Sequence, residues 1–442
     1  MVFLSIDFGT SSVKAALIDE RFAILQEAKA AYAYRMLPGE RVELSRDDLL
    51  AALRKVVQSF DERLLQRVEL ICYDTFSPSL VLMEKDGGLL GQTVITHLDR
   101  RSRAFSAVVD ERFGNERYMN VAGILPFAGG CSLMNILWYQ HHEPEMLRKT
   151  YHLGHMTTYF HHLLTGKWMT DTVNATMLGV YDTVGMNGWS DDIIRAFDLE
   201  AAWFPQVVQP GAAWGTLTGA AASMLGLRKD IPVAAGTNDM AAAQVGAGNQ
   251  AAGCILNSAG SSDMVSILTD CPAPNRHYYL RGAATKGLWQ IYATTAGGFA
   301  VEWFQKQLCR DMPDDDAFHA WIAEAIRRYD GRTEVSFDPY LSGDRQSLER
   351  KTASWHGLTL ASTREEMMAA MLRGIQTELR GTVALAAEHT RLSRVMKVTG
   401  GMLSKEYIEM KQRVFSEFEL KAVDNCTLLG NVKLAMRREV AQ

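Results

Sequence analysis

Short apolar runs separated by polar turns open the chain, and this spacing predicts β-strands. The runs VFLSID, VKAALI and AILQEA follow one another within the first 28 residues, and VELICY at 68–73 is a candidate buried strand. Two later runs, SLVLME and LLGQTVI, flank Asp86 and Gly87, a pair typical of a hairpin turn. The first part of the chain is therefore predicted to form a sheet.

Apolar residues at helical spacing follow these strands and recur in the second half. Helices are predicted after the capping pair Ser45 and Asp48, over most of 132–164, over 190–199 behind Ser190, over 363–391, and over 405–415 behind Ser404. The methionines of the 363–391 segment repeat on one helical face, so we assign them to the core.

The segment IPVAAGTNDM at 231–240 predicts a strand that ends in a polar loop, with a helix over 241–248 leading out of it. Strands and helices alternate on both sides of this segment, and 442 residues are too many for one ordinary core. We therefore predict two α/β domains, residues 1–248 and 249–442, with the boundary near 246–253.

Composition narrows the class of protein. Hydrophobic residues make up 47% of the chain and charged residues 22%, as in globular enzymes, and the net charge of −5 argues against a nucleic-acid surface. No basic cluster predicts a membrane surface, and the charge-free run Met240–Ser262 is too rich in small and polar residues for a membrane span.

Cysteine usage and the N-terminus bear on location. The six cysteines are scattered with no CxxC pair, which disfavours a metal site or a disulfide framework and fits a reducing compartment. The first residues lack the basic region of a signal peptide and form a strand pattern instead. We therefore expect a cytoplasmic protein.

The first polar turn carries the earliest chemistry. A strand ends on Asp7, and the residues that follow supply backbone N–H groups, hydroxyls and one ammonium: Gly9, Thr10, Ser11, Ser12 and Lys14. Such a turn suits phosphate, and an acid at the strand end could hold Mg²⁺. The alternative is an ordinary hairpin that uses glycine and serine for turn geometry.

A second copy of this pattern favours the phosphate interpretation. Residues 255–270 read ILNSAGSSDMVSILTD, so that Gly260, Ser261 and Ser262 again lie in a polar turn between apolar runs. Two such turns, one in each half of the chain, predict two related lobes that close on a nucleotide.

Asp239 lies between the two turns in the sequence and is the candidate base. It ends the strand segment Gly236-Thr237-Asn238-Asp239 and opens a helix, where open α/β sheets place their ligands. Phosphorylation of an alcohol needs a base within hydrogen-bond reach of the hydroxyl. The alternative is that Asp239 only caps the helix.

This order of turn, acid and turn resembles the FGGY carbohydrate kinases of the actin-like ATPase superfamily, in particular the xylulose kinases, over nearly the whole chain. The family has a glycine three residues before its catalytic aspartate, which matches Gly236 and Asp239. The resemblance implies two ribonuclease H-like domains with a cleft between them, ATP and Mg²⁺ bound across that cleft, a small-molecule sugar as substrate, and Asp239 as general base.

Further segments extend the resemblance. Thr399-Gly400-Gly401, followed by Met402, matches a turn that backs the adenosine in the family. Residues 94–102, 164–193 and 339–345 also match, and the resemblance makes Ser77, Asp99 and Asn238 candidate sugar contacts. The alternative for Asp99 is a local ion pair with Arg101.

Departures from the family pattern leave the substrate open. Pro78 stands where members have histidine or glutamate, Met240 follows the candidate base in place of a polar residue, His97 replaces a usual tryptophan, and Met402 replaces a common glycine.

Family frequency favours a pentulose as the substrate; a kinase for another polyol or a sugar acid is the second hypothesis. A nucleotide-switched actin-like ATPase and a degenerate sugar-binding regulator are the alternatives outside this activity. The oligomeric state stays open, with a homodimer among the alternatives.

Overall fold

The first half of the chain builds a seven-stranded sheet with helices around it. The computed structural model describes residues 1–341, 343–345 and 348–437. Strands of the first half are β1 (Val2–Phe8), β2 (Ser12–Asp19), β3 (Ile24–Ala31), β4 (Arg35–Leu37), β5 (Arg41–Ser45), β6 (Val68–Thr75), β7 (Ser79–Met83), β8 (Thr93–Thr96), β9 (His152–Gly154), β10 (Thr170–Asp171), β11 (Val207–Val208), β12 (Ala213–Thr216), β13 (Pro232–Ala234) and β14 (Thr237–Asn238). Its helices are α1 (Arg46–Val57), α2 (Glu62–Leu65), α3 (Phe105–Arg112), α4 (Asn115–Ala122), α5 (Leu133–His142), α6 (Pro144–Lys149), α7 (Met156–Thr165), α8 (Thr172–Leu178), α9 (Asp191–Ala196), α10 (Gly219–Leu225) and α11 (Asp239–Gly246).

The order in this sheet is β12-β13-β6-β1-β2-β3, with β14 also paired to β6. Strand β1 runs antiparallel to β2 and parallel to β6, so the β1–β2 turn and the end of β6 share one edge. A smaller five-stranded sheet, β4-β5-β8-β7-β9, extends this half.

The second half builds a six-stranded sheet of similar plan, in the order β17-β18-β16-β15-β21-β22. Its strands are β15 (Ile255–Ala259), β16 (Ser262–Thr269), β17 (Tyr279–Gly282), β18 (Trp289–Ala296), β19 (Ser336–Asp338), β20 (Ser354–His356), β21 (Val395–Thr399) and β22 (Glu419–Ala422). Its helices are α12 (Gly298–Leu308), α13 (Asp315–Tyr329), α14 (Arg364–Ala387), α15 (Lys405–Val414) and α16 (Cys426–Ala435). Strands β15 and β16 form an antiparallel hairpin, as β1 and β2 do.

Most predicted elements are confirmed. The caps at Ser45, Ser190 and Ser404 each accept a backbone N–H at the start of the predicted helix, and the 363–391 pattern is α14. Segment 132–164 is helical except for β9, a short strand that was not predicted. Among the residues described, no helix combines the length and the hydrophobicity that crossing a bilayer requires.

Helix α16 returns from the second half to the sheet of the first. Its Leu428 carbonyl accepts the Ser5 hydroxyl at 2.8 Å, and its Asn431 donates to the carbonyl of Ile6 at 3.3 Å. The division into residues 1–248 and 249–442 therefore stays a prediction, because this late helix completes the packing of the first sheet.

Helices α11 and α16 cross at two glycines. A methyl group on Gly246 would overlap the carbonyl oxygen of Cys426, and one on Gly430 would overlap the carbonyl oxygen of Ala242. Only hydrogen at both positions lets the two backbones approach so closely. Since α11 begins with Asp239 and α16 contacts β1, this crossing joins the two ends of the candidate site.

We predict that Gly430→Ala lowers the free energy of unfolding by about 3 kcal/mol, because the new methyl group forces two packed helices apart. Gly381→Ala is the matched control: it also places a methyl group on a helical glycine, but in α14, where that methyl would meet open space. The control should be neutral or stabilising by up to about 1 kcal/mol. Urea denaturation followed by tryptophan fluorescence checks both, and equal losses in the two variants would contradict the prediction.

Candidate active site

The first polar turn lies where β1 passes into β2. The Gly9 N–H donates to the Ser12 carbonyl at 3.0 Å, and the Tyr32 N–H donates to the Ser11 carbonyl at 3.0 Å, which ties the turn to β3. Gly9 and Thr10 line a cavity of about 220 Å³, whereas the Ser11 side chain is exposed and Ser12 is buried. Lys14 faces a neighbouring cavity of about 450 Å³.

The second polar turn lies where β15 passes into β16. Its Gly260 N–H donates to the Ser262 carbonyl at 3.0 Å, and the start of α12 fastens the turn, because Gly298 donates to the Gly260 carbonyl and Phe299 to the Ser261 carbonyl. All three predicted residues, Gly260, Ser261 and Ser262, line the same cavity as Gly9 and Thr10. The two turns therefore face one space from opposite halves of the chain.

A buried ion pair anchors the second turn. Asp263 follows Ser262 directly and accepts hydrogen bonds from Lys411 at 3.1 Å, from Tyr407 at 2.9 Å and from Gln376 at 2.9 Å. Both charged side chains are fully buried, so neither can be lost without leaving the other uncompensated. The network joins the turn to α14 and α15.

Asp239 is the first residue of α11, and its carboxylate lines the cavity. The helix is capped by Asn238, whose Oδ1 accepts the N–H groups of Met240 at 3.2 Å and Ala241 at 3.3 Å. The alternative in which Asp239 is only the cap is therefore wrong. Asp239 instead accepts hydrogen bonds from the Asn238 amide at 2.8 Å and from the Met240 N–H at 2.7 Å.

Burial raises the pKa of Asp239 to about 7, and the negative charge of Asp7 adds to the rise. The two hydrogen bonds that the carboxylate accepts work in the opposite direction but do not offset burial. A carboxyl group with a pKa near neutrality is suited to general base chemistry.

A third carboxylate, Asp74, was missed in the sequence. Strands β1 and β6 pair in parallel, and this register sets Asp74 beside Asp7. Asp74 is fully buried, and its Oδ2 accepts the Asn431 amide at 2.5 Å, while Asp7 accepts the Thr427 hydroxyl at 3.2 Å. Burial raises the pKa of Asp7, and burial together with the charges of Asp7 and Asp239 raises that of Asp74 well above its usual range.

None of these three carboxylates has a direct ion-pair partner in the described part of the chain. Over residues 1–341, 343–345 and 348–437, neither lysine nor arginine comes within 4 Å of Asp7, Asp74 or Asp239. In the same ranges, no three His, Cys, Asp or Glu side chains are arranged to hold a metal ion alone. An accumulation of negative charge at the cavity wall fits a divalent cation that takes its other ligands from water or a bound phosphate.

Of the three predicted sugar contacts, one lines the cavity. Ser77 does, and its hydroxyl donates to the Asn174 Oδ1 at 2.6 Å. Asp99 is fully buried and accepts from the Arg101 Nε at 3.0 Å and the Val42 N–H at 2.7 Å, so the local ion pair describes it. Asn238 is buried behind Asp239. Asp99 and Asn238 make structural and positioning contacts within the protein, and their direct contact with a sugar stays a prediction.

The residues that depart from the family pattern lie in different surroundings in the structure. Met240 is buried in a hydrophobic cluster and does not face the cavity, because it follows Asp239 around the helix. Pro78 and His97 line the cavity, and burial holds the pKa of His97 well below its usual range, so its ring is neutral.

The turn at Gly400 and Gly401 lies against the second cavity. Gly401 and Met402 line it with Lys14, while Gly400, at φ 115°, lies against the backbone of Ala259 and leaves no room for a side chain. In the 339–345 match, residue 342 lies outside the described residues, and the Arg345 Nη1 donates to the Ser262 hydroxyl at 3.4 Å. Sequence reasoning also missed Arg281, Tyr279, Tyr292 and Thr427 in the first cavity, which carry no local motif.

The known proteins that are similar to this chain include several sugar kinases. Residues 2–246 match the model for the N-terminal domain of the FGGY family of carbohydrate kinases. The xylulose kinase of Bacillus subtilis (strain 168) is 23% identical over 428 residues, which cover 95% of this chain and 84% of that protein. The L-fuculokinase of Escherichia coli (strain K12) is 23% identical over 434 residues, covering 96% and 89%.

Solved structures show the same fold. The crystal structure of xylulose kinase from Rhodospirillum rubrum matches with a TM-score of 0.87 at 20% identity, over 98% of this chain and 89% of that one. The predicted fold, two α/β domains of the actin-like ATPase type, is thereby confirmed.

We predict that Asn238→Ala raises the pKa of Asp239, because the carboxylate loses a hydrogen bond that favours its charged form. The same change removes the cap of α11 and should cost about 1 kcal/mol of stability. Carboxyl ¹³C NMR over a pH titration measures the pKa. Ser190→Ala, which removes the cap of α9, should cost similar stability and leave the Asp239 titration unchanged. An unaltered titration in Asn238→Ala would refute the positioning role.

Proposed function

Because the chain belongs to the FGGY family of carbohydrate kinases, we propose that it transfers the γ-phosphoryl group of ATP to one hydroxyl of a small sugar, a ketose or a related polyol. The observation that carries the proposal is that Asp239 and both polar turns line one cavity. A base on one side and phosphate-binding turns on the other satisfy what in-line transfer to an alcohol requires.

The two turns are proposed to bind the phosphates from opposite lobes. Backbone N–H groups and the hydroxyls of Thr10, Ser261 and Ser262 can donate to phosphate oxygens and stabilise the charge that develops during transfer. The neighbouring cavity, lined by Gly401, Met402 and Lys14, is the proposed adenosine site, and it shares Gly260 and Ser261 with the first cavity.

Asp7 is the proposed contact for Mg²⁺. It lies beside the first turn with two further carboxylates near it, and no lysine or arginine in the described ranges forms an ion pair with it, which fits a bound divalent cation. When bound, Mg²⁺ would neutralise phosphate charge. Thr427 and Asn431, both on α16, hold Asp7 and Asp74 in place by the hydrogen bonds described above.

Asp239 performs the proton transfer in this proposal. It accepts the proton of the sugar hydroxyl as that oxygen forms a bond to the γ-phosphorus, and the bond from the γ-phosphorus to the bridging oxygen breaks to release ADP. Closure of the two lobes around the cavity would exclude water and limit wasteful hydrolysis.

We expect Asp239→Asn to lose about 1,000-fold or more in sugar-dependent ADP release while still binding ATP, because an amide cannot accept the hydroxyl proton. A coupled assay over ketoses and polyols measures turnover, and calorimetry measures ATP binding. Asp316→Asn, at an exposed position of α13, is the control and should keep its activity. Near-normal turnover in Asp239→Asn would remove this residue from the mechanism, and ADP release that no sugar stimulates would favour a nucleotide-switched ATPase.

The pKa of about 7 gives a pH dependence with a definite sign. Only the ionised carboxylate can act as base, so the rate at low concentrations of both substrates should fall about tenfold per pH unit below pH 7 and level off above it. An acid limb near pH 4, where an ordinary aspartate titrates, would contradict the raised pKa.

A further inference from the structure

Arg281 places a buried positive charge at the wall of the cavity that Asp239 also lines. It lies on β17 in the second half of the chain, its side chain is only 6% exposed, and it lines the same cavity as the base. Burial lowers its pKa, but an arginine stays protonated under these conditions. A buried guanidinium is costly unless something compensates its charge.

Within the described parts of the chain, the charge of Arg281 is only partly compensated, by Asp239 in the same cavity. No carboxylate lies within 4 Å of the guanidinium, and its Nε is buried without a hydrogen-bond partner. Its neighbours are two aromatic faces: the guanidinium carbon lies 4.3 Å from the ring centroid of Tyr292 and 4.8 Å from that of Tyr279. Aromatic faces stabilise the cation but accept no conventional hydrogen bond, so the N–H donors of Arg281 stay without a strong acceptor among the described residues.

The strand that carries Arg281 is fastened to the other lobe. Leu280 and Gly282 are the neighbours of Arg281 in the strand. The Leu280 N–H donates to the Gly123 carbonyl at 2.9 Å, and the Gly282 N–H donates to the Thr176 hydroxyl at 3.1 Å. Thr176 lies on α8, the helix that also carries Asn174, the partner of Ser77. Arg281 therefore belongs to the wall around Ser77, on the side of the cavity proposed for the sugar.

We propose that the acceptor of this kinase carries a carboxylate, as an aldonic acid does, and that Arg281 binds it through a bidentate hydrogen-bonded pair. This inference rests on the proposed function, since it names the substrate class of the same site. A carboxylate matches the planar donor fork in shape and supplies the missing charge. The reacting hydroxyl then lies toward Asp239, at the other end of a small polyol.

The competing role for Arg281 is to bind the phosphoryl group in transfer. Arg345 is better placed for that, because it donates to Ser262 in the second phosphate turn. The charge of Arg281 lowers the pKa values of His155 and Asp239 in the first lobe, whereas Arg345 has a larger effect than Arg281 on the pKa of His97. Arg345 is therefore assigned to the phosphate turn through its contact with Ser262, and Arg281 to the cavity wall near Ser77 through the contact of β17 with α8.

Calorimetry and ADP-release kinetics on the full chain test the inference. D-gluconate and D-xylonate are compared with D-glucitol and xylitol, neutral polyols of the same length. An aldonate should bind in the absence of ATP and have a kcat/KM on the order of 30-fold or more above its neutral partner, as a charged hydrogen-bonded pair provides. Arg281→Met should remove that preference and leave the KM for ATP unchanged, and Arg281→Lys should keep part of it.

The control variant is Arg276→Met, which makes the same change at an exposed arginine before β17 and should behave as wild type. Arg281→Met should melt at an unchanged or higher temperature, because it removes a buried charge that is only partly compensated, whereas loss of a merely structural arginine would lower it. The inference is overturned if no aldonate binds, if neutral polyols or ketoses are used equally well, or if Arg281→Met raises the KM for ATP and slows every substrate alike. Aldonate binding that depends on Arg281, without any phosphorylation, would support this inference and refute the proposed function.

Discussion

The close crossing of α11 and α16 is the constraint on which the site depends. Glycines at 246 and 430 bring the two backbones together, and this contact fixes what lies at the ends of both helices. One helix begins with Asp239, and the other carries the hydrogen-bond partners of Asp7 and Asp74. A carboxylate cluster assembled from three distant parts of the chain therefore depends on the absence of two side chains.

Each lobe contains buried charged side chains. Those that are paired within the protein differ in role from those that face the cavity. In the second, Asp263 and Lys411 compensate each other inside a network that is complete within the protein, so they stabilise the turn beside them. In the first, Asp99 and Arg101 are paired in a similar way, whereas burial raises the pKa values of Asp7, Asp74 and Asp239, and the charge of Asp7 adds to the rise for the other two. An ion pair that is complete within the protein stabilises the fold, whereas a charged group that faces a cavity without a direct partner can bind a ligand.

The fold was predictable from the sequence because its signals are local. Alternating apolar runs, capping serines and glycine turns locate β1, β2, β15, β16 and the main helices to within a few residues. The positions of the two polar turns and of Asp239 along the chain were also predictable, because their motifs are short. Asp74 was not predicted because the register of β6 with β1, and no local motif, brings it beside Asp7. Arg281 was not predicted because its position is set by two hydrogen bonds from its strand to the other lobe. The capping role of Asn238 was not predicted, because it follows from where α11 begins, at Asp239.

Helix α16 also sets an order for biosynthesis. Ser5 contacts a residue 423 positions later, so the packing of the first sheet stays incomplete until that later residue has left the ribosome. Nascent chains must keep the face that α16 will cover accessible during that interval, and pairing across so large a sequence separation slows folding. Loss of this one helix would remove the hydrogen-bond partners of Asp7 and Asp74, although every described strand of both sheets precedes it in the sequence.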